Sequence, residues 1–496
     1  MNFYPLKKYL EVAGEYGTVT KSALLGKEEQ EVTGLTYNSK EVAPGTLFIC
    51  KGANFKEAYL QEAKERGAFC YISEKEYQAG AGMSCIIVSD IRQVMARQAI
   101  LFYNEPAKDL KVIGIGGTKG KTTTAFYLKN IIEQKAPCGI LSSICTYDGK
   151  TEAVAHNTTP ESVELQKYLY QTVQNGVKYM VMEVSSQALK YHRVEGLDFD
   201  IGVFLNISED HISPIEHPDF EDYFQSKMLM FKQTQTAIVN LDGGERVRAL
   251  EAAKNASQTI TFSLEDKTAD YYGKDIEKVG EHSRFKAVAK GAEKTYELAM
   301  PGLFNIENAL AAMAAANALG FSEEEIYTGL KTARVKGRME IFHGKDGNKI
   351  GIVDYAHNKL SFEKLFSSLK KEYPGYRIIA VFGTPGGKAF GRRKDLGEAA
   401  DRYADEIILT ADEPGIEQVR DICEEIGKYI KHKPFQIVEE RSQAVEIAFS
   451  SSPEKAVIAV VGKGHEASMK IGHEYVDYPS DLELVAKVLK AYDERN

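Results

Sequence analysis

Unbroken apolar runs, each ending in a glycine or a polar turn, punctuate this chain. "KVIGIGG", "YMVMEVSS", "IGVFLNIS" and "TAIVNLD" form one series that begins at Lys111. "KIGIVDYA", "RIIAVFG", "EIILTAD" and "AVIAVVGKG" form a second. Runs without alternation suit strands buried on both faces, and the spacers between them are long enough for helices. That order predicts two alternating α/β units built on parallel sheets. Ahead of Lys111, the shorter runs "GTLFICKG", "GAFCYIS" and "CIIVSD" predict a small α/β domain. "YNEPAKDL", with Pro106, reads as a linker. The Ala- and Leu-rich "FNIENALAAMAAANALG" predicts a helix stopped by Gly320.

The first strand of the first series runs into "GGTKGKTTTAFYLKNIIE". A strand, a glycine turn and a helix beginning Lys-Thr form a phosphate cradle, in which backbone N–H groups point at the anion. Gly117, Thr118, Lys119, Gly120, Lys121, Thr122 and Thr123 are the candidate ATP-binding residues. Lys121 would reach the terminal phosphates and the Thr122 hydroxyl a magnesium ion. Ile115 stands where the usual pattern has its first glycine, and glycines occupy 114, 116 and 117 instead. The bland alternative is a tight strand–helix turn.

Glu183 ends the apolar run "YMVME", and His211 follows "IGVFLNISED". In a doubly wound sheet both strand ends lie near the first loop, where a carboxylate can hold magnesium and the imidazole can join it. Read without that loop, Glu183 is a solvated strand end and His211 a structural histidine. By its own surroundings, Lys227 is a surface lysine.

Length and charge narrow the picture. At 496 residues the chain exceeds one compact core. A net charge of −9 without a basic stripe gives no sign of nucleic acid binding. The six cysteines form no C-x-x-C pair, so no zinc site or disulfide framework is indicated. The N-terminus lacks a signal-like apolar core and no run spans a membrane, so a cytoplasmic location and no membrane partner are expected.

"GGTKGKTT", "NTTPES", "MEVSSQAL", "NISEDH…YFQSK", "GLFNIENALAA", "GRMEIF", "VDYAHN" and "GKGHE", in that order, resemble the Mur ligases of peptidoglycan synthesis. The likeness is closest to the type that adds the third amino acid (the MurE type). It implies three domains, set here at 1–107, 108–335 and 336–496. The first is a small α/β domain that binds the UDP end of the substrate. The second is a mostly parallel, P-loop-type α/β ATPase domain that binds ATP and magnesium. The third is a Rossmann-like α/β domain that binds the amino acid.

The resemblance also implies roles. ATP, Mg²⁺, the UDP-N-acetylmuramoyl dipeptide and an amino acid are the expected ligands of a monomeric enzyme that works through an acyl phosphate. Lys121, Glu183, His211 and Lys227 are the expected catalytic residues. Thr122, Glu183, His211 and Lys227, the last as a carbamate, are the expected metal ligands. Thr158, Thr159, Ser185 and Arg193 resemble the residues that hold the dipeptide, and Ser39 the uridine contact. Taken alone, these hydroxyls are turn caps. Asn308 resembles the adenine contact, and Arg338 and Asp354 the nucleotide contacts of the closing domain. Arg392 and Arg393 sit where the family holds the incoming carboxylate or phosphate groups, and a solvated basic loop is the alternative.

Diaminopimelate-adding members carry D-N-P-R where this chain has Asp412-Glu413-Pro414-Gly415. Without that arginine and with an added acid, a basic amino acid such as lysine is favoured over meso-diaminopimelate. Asp412, Glu413, Gly462 and Glu466 are the candidate contacts, with Glu466 reaching an amine. The alternatives are a diaminopimelate-adding enzyme, a related amide ligase such as a folylpolyglutamate synthase, and a nucleotide-binding module without turnover.

Overall fold

The structure is a computed structural model that describes residues 2–52, 55–155, 157–210, 212–213, 216–280, 282–289 and 291–494. Its largest sheet takes shape around Lys111–Gly116, whose Val112, Ile113 and Ile115 are fully buried. Tyr179–Glu183 and Phe199–Phe204 pair parallel on its two sides. Cys138–Leu141 extends one flank. Thr234–Asn240, Gln258–Ser263 and Tyr271–Val279 extend the other, all parallel. The chain thus reverses its direction of sheet building beside Lys111–Gly116, which opens a crevice at the carboxyl ends of the strands.

Both margins of this sheet turn antiparallel. Cys145–Tyr147 and Glu152–Val154 finish one edge. His282–Ala289 and Ala292–Leu298 finish the other. The helix Leu303–Ala318 packs on Lys121–Ile132, and its many alanines are buried.

A smaller sheet precedes this one. Gly34–Thr36, Thr46–Ile49, Cys70–Ser73 and Ser84–Val88 are parallel, and Val19–Ala23 closes the edge antiparallel. A helical turn at Pro106–Asp109, entered through left-handed Asn104 and Glu105, leads into the central sheet.

A third sheet holds Lys349–Asp354, Ala456–Val461, Arg377–Phe382, Glu406–Leu409 and Phe435–Ile437 in that order, all parallel, with Glu340–His343 antiparallel at one edge. The expected strands of both series are present. All six cysteines are buried and unpaired. Among the described residues, no helix is long and apolar enough to cross a membrane.

Candidate functional site

Residues that follow the carboxyl ends of strands in the central and third sheets meet. On the central side the chain leaves Lys111–Gly116 through Gly117 and Gly120 and enters the helix Lys121–Ile132. Gly120 has φ +87°, and a Cβ there would lie 2.3 Å from the Asn308 Oδ1. Only glycine fits both the backbone and the neighbour. Asn206 clamps the turn from the next strand. Its carbonyl accepts from the Thr118 N–H at 2.9 Å and its Oδ1 from the Lys119 N–H at 2.9 Å, while its Nδ2 donates to the Lys119 carbonyl at 3.1 Å. Asn206 opens the "NISEDH" motif, and nothing in the sequence marks it as the clamp of this turn.

Three lysine amines converge on this turn. Lys121 Nζ donates to the carbonyls of Gly117 and Thr118, at 2.9 and 3.1 Å. Lys227 Nζ also donates to the Gly117 carbonyl, at 2.9 Å, and sits 4.6 Å from the centre of the Tyr223 ring. Lys227 is 3% exposed, so the structure replaces the surface lysine of the sequence alternative with a buried one. Lys119 Nζ lies 3.0 Å from His357 Nε2 and 3.7 Å from Asp210. Burial pushes Lys119 down to about 7, lowers Lys121, and drives Lys227 well below the usual lysine range with help from the nearby Lys121 charge. Thr123 is buried in the first turn of the helix.

On the other side of the turn stands Glu183. It is 1% exposed, and among the described residues no cation lies within ion-pair distance of it. Its Oε1 accepts the Ser143 N–H at 2.8 Å, and Ser143 Oγ lies 3.0 Å from Thr122 Oγ1. A buried carboxylate beside two hydroxyls is a set of hard oxygen donors that fits magnesium. Ser143 had no signal in "LSSIC". His211 lies outside the described residues. Among those described, no three His, Cys, Asp or Glu side chains cluster as a metal site.

The carbonyl of Glu183 accepts the Thr159 hydroxyl at 2.9 Å. That hydroxyl also accepts the Ser185 N–H at 3.0 Å, and Ser185 Oγ caps the short helix Ser186–Lys190. Arg193 donates to the Thr159 carbonyl at 3.1 Å and pairs with Glu161 at 2.8 Å, and Lys51, just past the strand Thr46–Ile49, pairs with the same Glu161 at 2.5 Å. Arg193, which resembles a dipeptide-holding residue, is thus paired with the internal Glu161 in this structure. Thr158 is half-buried next to Thr159. Ser39 stands apart in the first unit, where its hydroxyl donates to Glu62 at 2.7 Å.

From the third sheet, Asp354 accepts the N–H groups of Met339 and Ala356 at 2.9 and 2.8 Å, and burial pushes its carboxyl up. The Arg338 guanidinium lies 4.3 Å from the centre of the Tyr355 ring. Asn358 and Arg392 reach across to Asp210, donating to its two oxygens at 2.6 and 3.0 Å. Asp210 thus joins the two lobes, and Arg392 serves this junction in the structure. Arg393 is 3% exposed and bonds to Glu417 and Glu425, which removes the solvated-loop alternative for it.

Behind this junction acids gather. Burial raises the carboxyls of Asp412 and Glu466. Glu466 accepts the Tyr355 hydroxyl at 2.7 Å and lies 3.4 Å from the buried Lys463. The backbone of Gly462 runs close to Asp412, where a Cβ would meet Oδ2 at 2.5 Å. Glu413 lies 3.7 Å from Lys388. Arg441, fully buried, forks onto Asp481 at 2.7 and 2.8 Å and also donates to the carbonyls of Ala411 and Val461. Arg420 pairs with Glu439 on the surface.

Residues 115–316 match the Mur ligase middle domain, and residues 337–464 match the Mur ligase glutamate ligase domain. The chain is 40% identical over 461 residues to the UDP-N-acetylmuramoyl-L-alanyl-D-glutamate--L-lysine ligase of Streptococcus thermophilus, covering 92% of both chains. It is 37% identical over 495 residues to the protein of that name from Enterococcus faecalis, covering 97% of this chain and 95% of that one. A solved UDP-N-acetylmuramoyl-L-alanyl-D-glutamate--2,6-diaminopimelate ligase superposes with a TM-score of 0.65 at 26% identity, over 94% of this chain and 96% of that one. MurF from Acinetobacter baumannii shares the fold, with a TM-score of 0.68 at 19% identity over 99% of each chain.

Proposed function

Because the chain belongs to the Mur ligase family, we propose that it joins L-lysine to UDP-N-acetylmuramoyl-L-alanyl-D-glutamate, with ATP as the energy source. The observation that carries this reading is one of charge. The Lys227 amine, buried, and those of Lys119 and Lys121, half-buried, line the phosphate turn, and across the Asp210 junction the buried Asp412 and the half-buried Glu413 and Glu466 line the opposite loops. The first set suits a polyphosphate and a carboxylate brought together. The second suits an incoming diamine.

In this reading the peptide's terminal carboxylate attacks the γ-phosphorus, the bond to the ADP oxygen breaks, and an acyl phosphate forms. The amine of lysine then attacks the acyl carbon and phosphate leaves. Both reactants of the first step are anions, so Lys119, Lys121 and the turn N–H groups offset their repulsion. Magnesium, held by Thr122, Glu183, His211 and a carbamylated Lys227, would supply the remaining positive charge. Burial supports the carbamate: it favours the neutral amine of Lys227, the form that adds CO₂ and releases a proton.

Thr158, Thr159, Ser185 and Arg193 would hold the dipeptide, and Ser39 the uridine end. Asn308, Arg338 and Asp354 would hold the nucleotide. Asp412, Glu413, Gly462 and Glu466 would receive lysine, because a second substrate carboxylate would meet acids there. We assign these tasks to domains 1–107, 108–335 and 336–496, and the buried free thiols support a reducing, cytoplasmic setting.

Phosphate release decides the matter. It should require ATP, magnesium, the UDP-dipeptide and lysine together, and meso-diaminopimelate should replace lysine poorly. Release indifferent to the dipeptide would make the protein a plain ATPase. Faster release with diaminopimelate would overturn the lysine assignment.

A further inference from the structure

Resting on the function just proposed, we infer that His217 is a positioning residue: it fixes the spacing between the dipeptide wall and the helix that carries Lys227. Nothing in the reaction above uses this side chain, yet it is fully buried and bonded at both ring nitrogens. Its Nδ1 lies 2.6 Å from an Asp222 oxygen, and its Nε2 lies 2.9 Å from Ser186 Oγ. An ionised carboxylate only accepts, so Nδ1 carries the proton and Nε2 accepts the Ser186 hydroxyl.

The two partners belong to different walls. Ser186 opens the short helix Ser186–Lys190, directly after Ser185 and ahead of Arg193. Asp222 lies in the first turn of Phe220–Met228, one residue before Tyr223 and on the helix of Lys227. The Tyr223 hydroxyl in turn lies 3.0 Å from Thr118 Oγ1 in the phosphate turn. Flanking contacts brace the same joint. Lys190 Nζ reaches Asp222 at 2.6 Å and the Glu216 carbonyl at 3.2 Å, and Gln187 donates to Glu216 at 3.2 Å. The imidazole is a rigid ring, so a bond at each nitrogen sets one distance between the walls.

Ser186, His217 and Asp222 are hydrogen-bonded in the same succession as an acyl-transfer triad. Ser186 is only 4% exposed, so no outside acyl group reaches it. The arrangement sets geometry. That geometry matters here because the peptide carboxylate and the γ-phosphate must meet at reacting distance.

His217→Gln keeps a polar side chain but cannot bond both walls. For this variant kcat/KM for the UDP-dipeptide should fall by about 10²-fold, the size of loss that follows a displacement of about 1 Å near the chemistry. KM for lysine and the affinity for ATP should stay at their wild-type values. Ser186→Ala and Asp222→Asn each cut one limb and should give smaller losses in the same pattern. Normal dipeptide kinetics in folded His217→Gln overturn the inference, as does a KM for lysine raised as much as that for the dipeptide. If His217→Gln does not fold, Ser186→Ala decides, and wild-type dipeptide kinetics in it overturn the inference. Wild-type protein inert toward the dipeptide overturns the function itself and the strut with it.

Discussion

The phosphate turn and the Asp412–Gly415 loop are built alike and charged oppositely. Each follows the carboxyl end of a buried parallel strand and contains a left-handed glycine, Gly120 or Gly415. Around the first, burial works against amines. Around the second it works against carboxylates. Desolvated groups of one sign store a demand for the other sign. In the function we propose, the same backbone solution serves an anion in one lobe and a cation in the other, and the side chains decide which.

The sharpest way to break this contrast is to remove cations from the first site. Lys121→Ala should lower dipeptide- and lysine-dependent phosphate release by about 10³-fold, at the upper end for one lost electrostatic stabiliser. Near-normal turnover would mean the turn does not bind phosphate. Lys227→Ala should cost about 10²-fold for the same reason, with partial recovery when a small carboxylate such as formate is added. A variant unaffected in rate would remove the carbamate from the mechanism.

Gly415→Arg tests the second site by adding a cation. Space exists, since the nearest atom to an added Cβ is the Gly472 carbonyl oxygen at 3.8 Å. With φ at +59°, the substitution should cost about 1–2 kcal/mol of stability, read by denaturant melting. Selectivity, measured as the ratio of kcat/KM for diaminopimelate over lysine, should rise by about tenfold, as for one gained charged hydrogen bond. An unchanged ratio would detach the loop from substrate choice.

The gentlest test counts protons. Lys119 is pushed down to about 7, and bound phosphates would raise it again. Nucleotide binding at pH 8 should then take up a fraction of a proton, detectable by calorimetry in buffers of different ionisation enthalpy. Lys119→Met should abolish the uptake. The folded-state value lies below that of the unfolded chain, so this lysine's penalty is full below about 7. It is relieved as pH rises toward 10.5, and the wild type should gain stability over that window relative to Lys119→Met.

What could be read in advance was local. The buried strands announced themselves as unbroken apolar runs, and the turn at 117–120 as glycines between a strand and a helix. The antiparallel margin Tyr271–Leu298 did not, because its outer face is charged and its burial alternates unevenly. Long-range partners were equally hidden. Asp210 meets Asn358 and Arg392 from 148 and 182 residues away, and no spacing rule connects them. For Arg393 a solvated basic loop stood as the alternative reading because Glu425 and Glu417, which pair with its charge, lie 32 and 24 residues further along the chain. Ser143 reaches Glu183 through a backbone N–H that any residue but proline would offer, so its side chain gave no sign of that contact.

Arg441 and Asp481 carry a further consequence. One guanidinium grips the carbonyls of Ala411 and Val461, while Asp481 also accepts the Gly464 N–H. Removing one partner of such an interior couple costs about 3–5 kcal/mol, because the other charge is left buried and unpaired. The same couple ties the loops bearing Asp412 and Glu466 to each other. The recess we propose for the amino acid is thus held by bonds made within the third lobe itself.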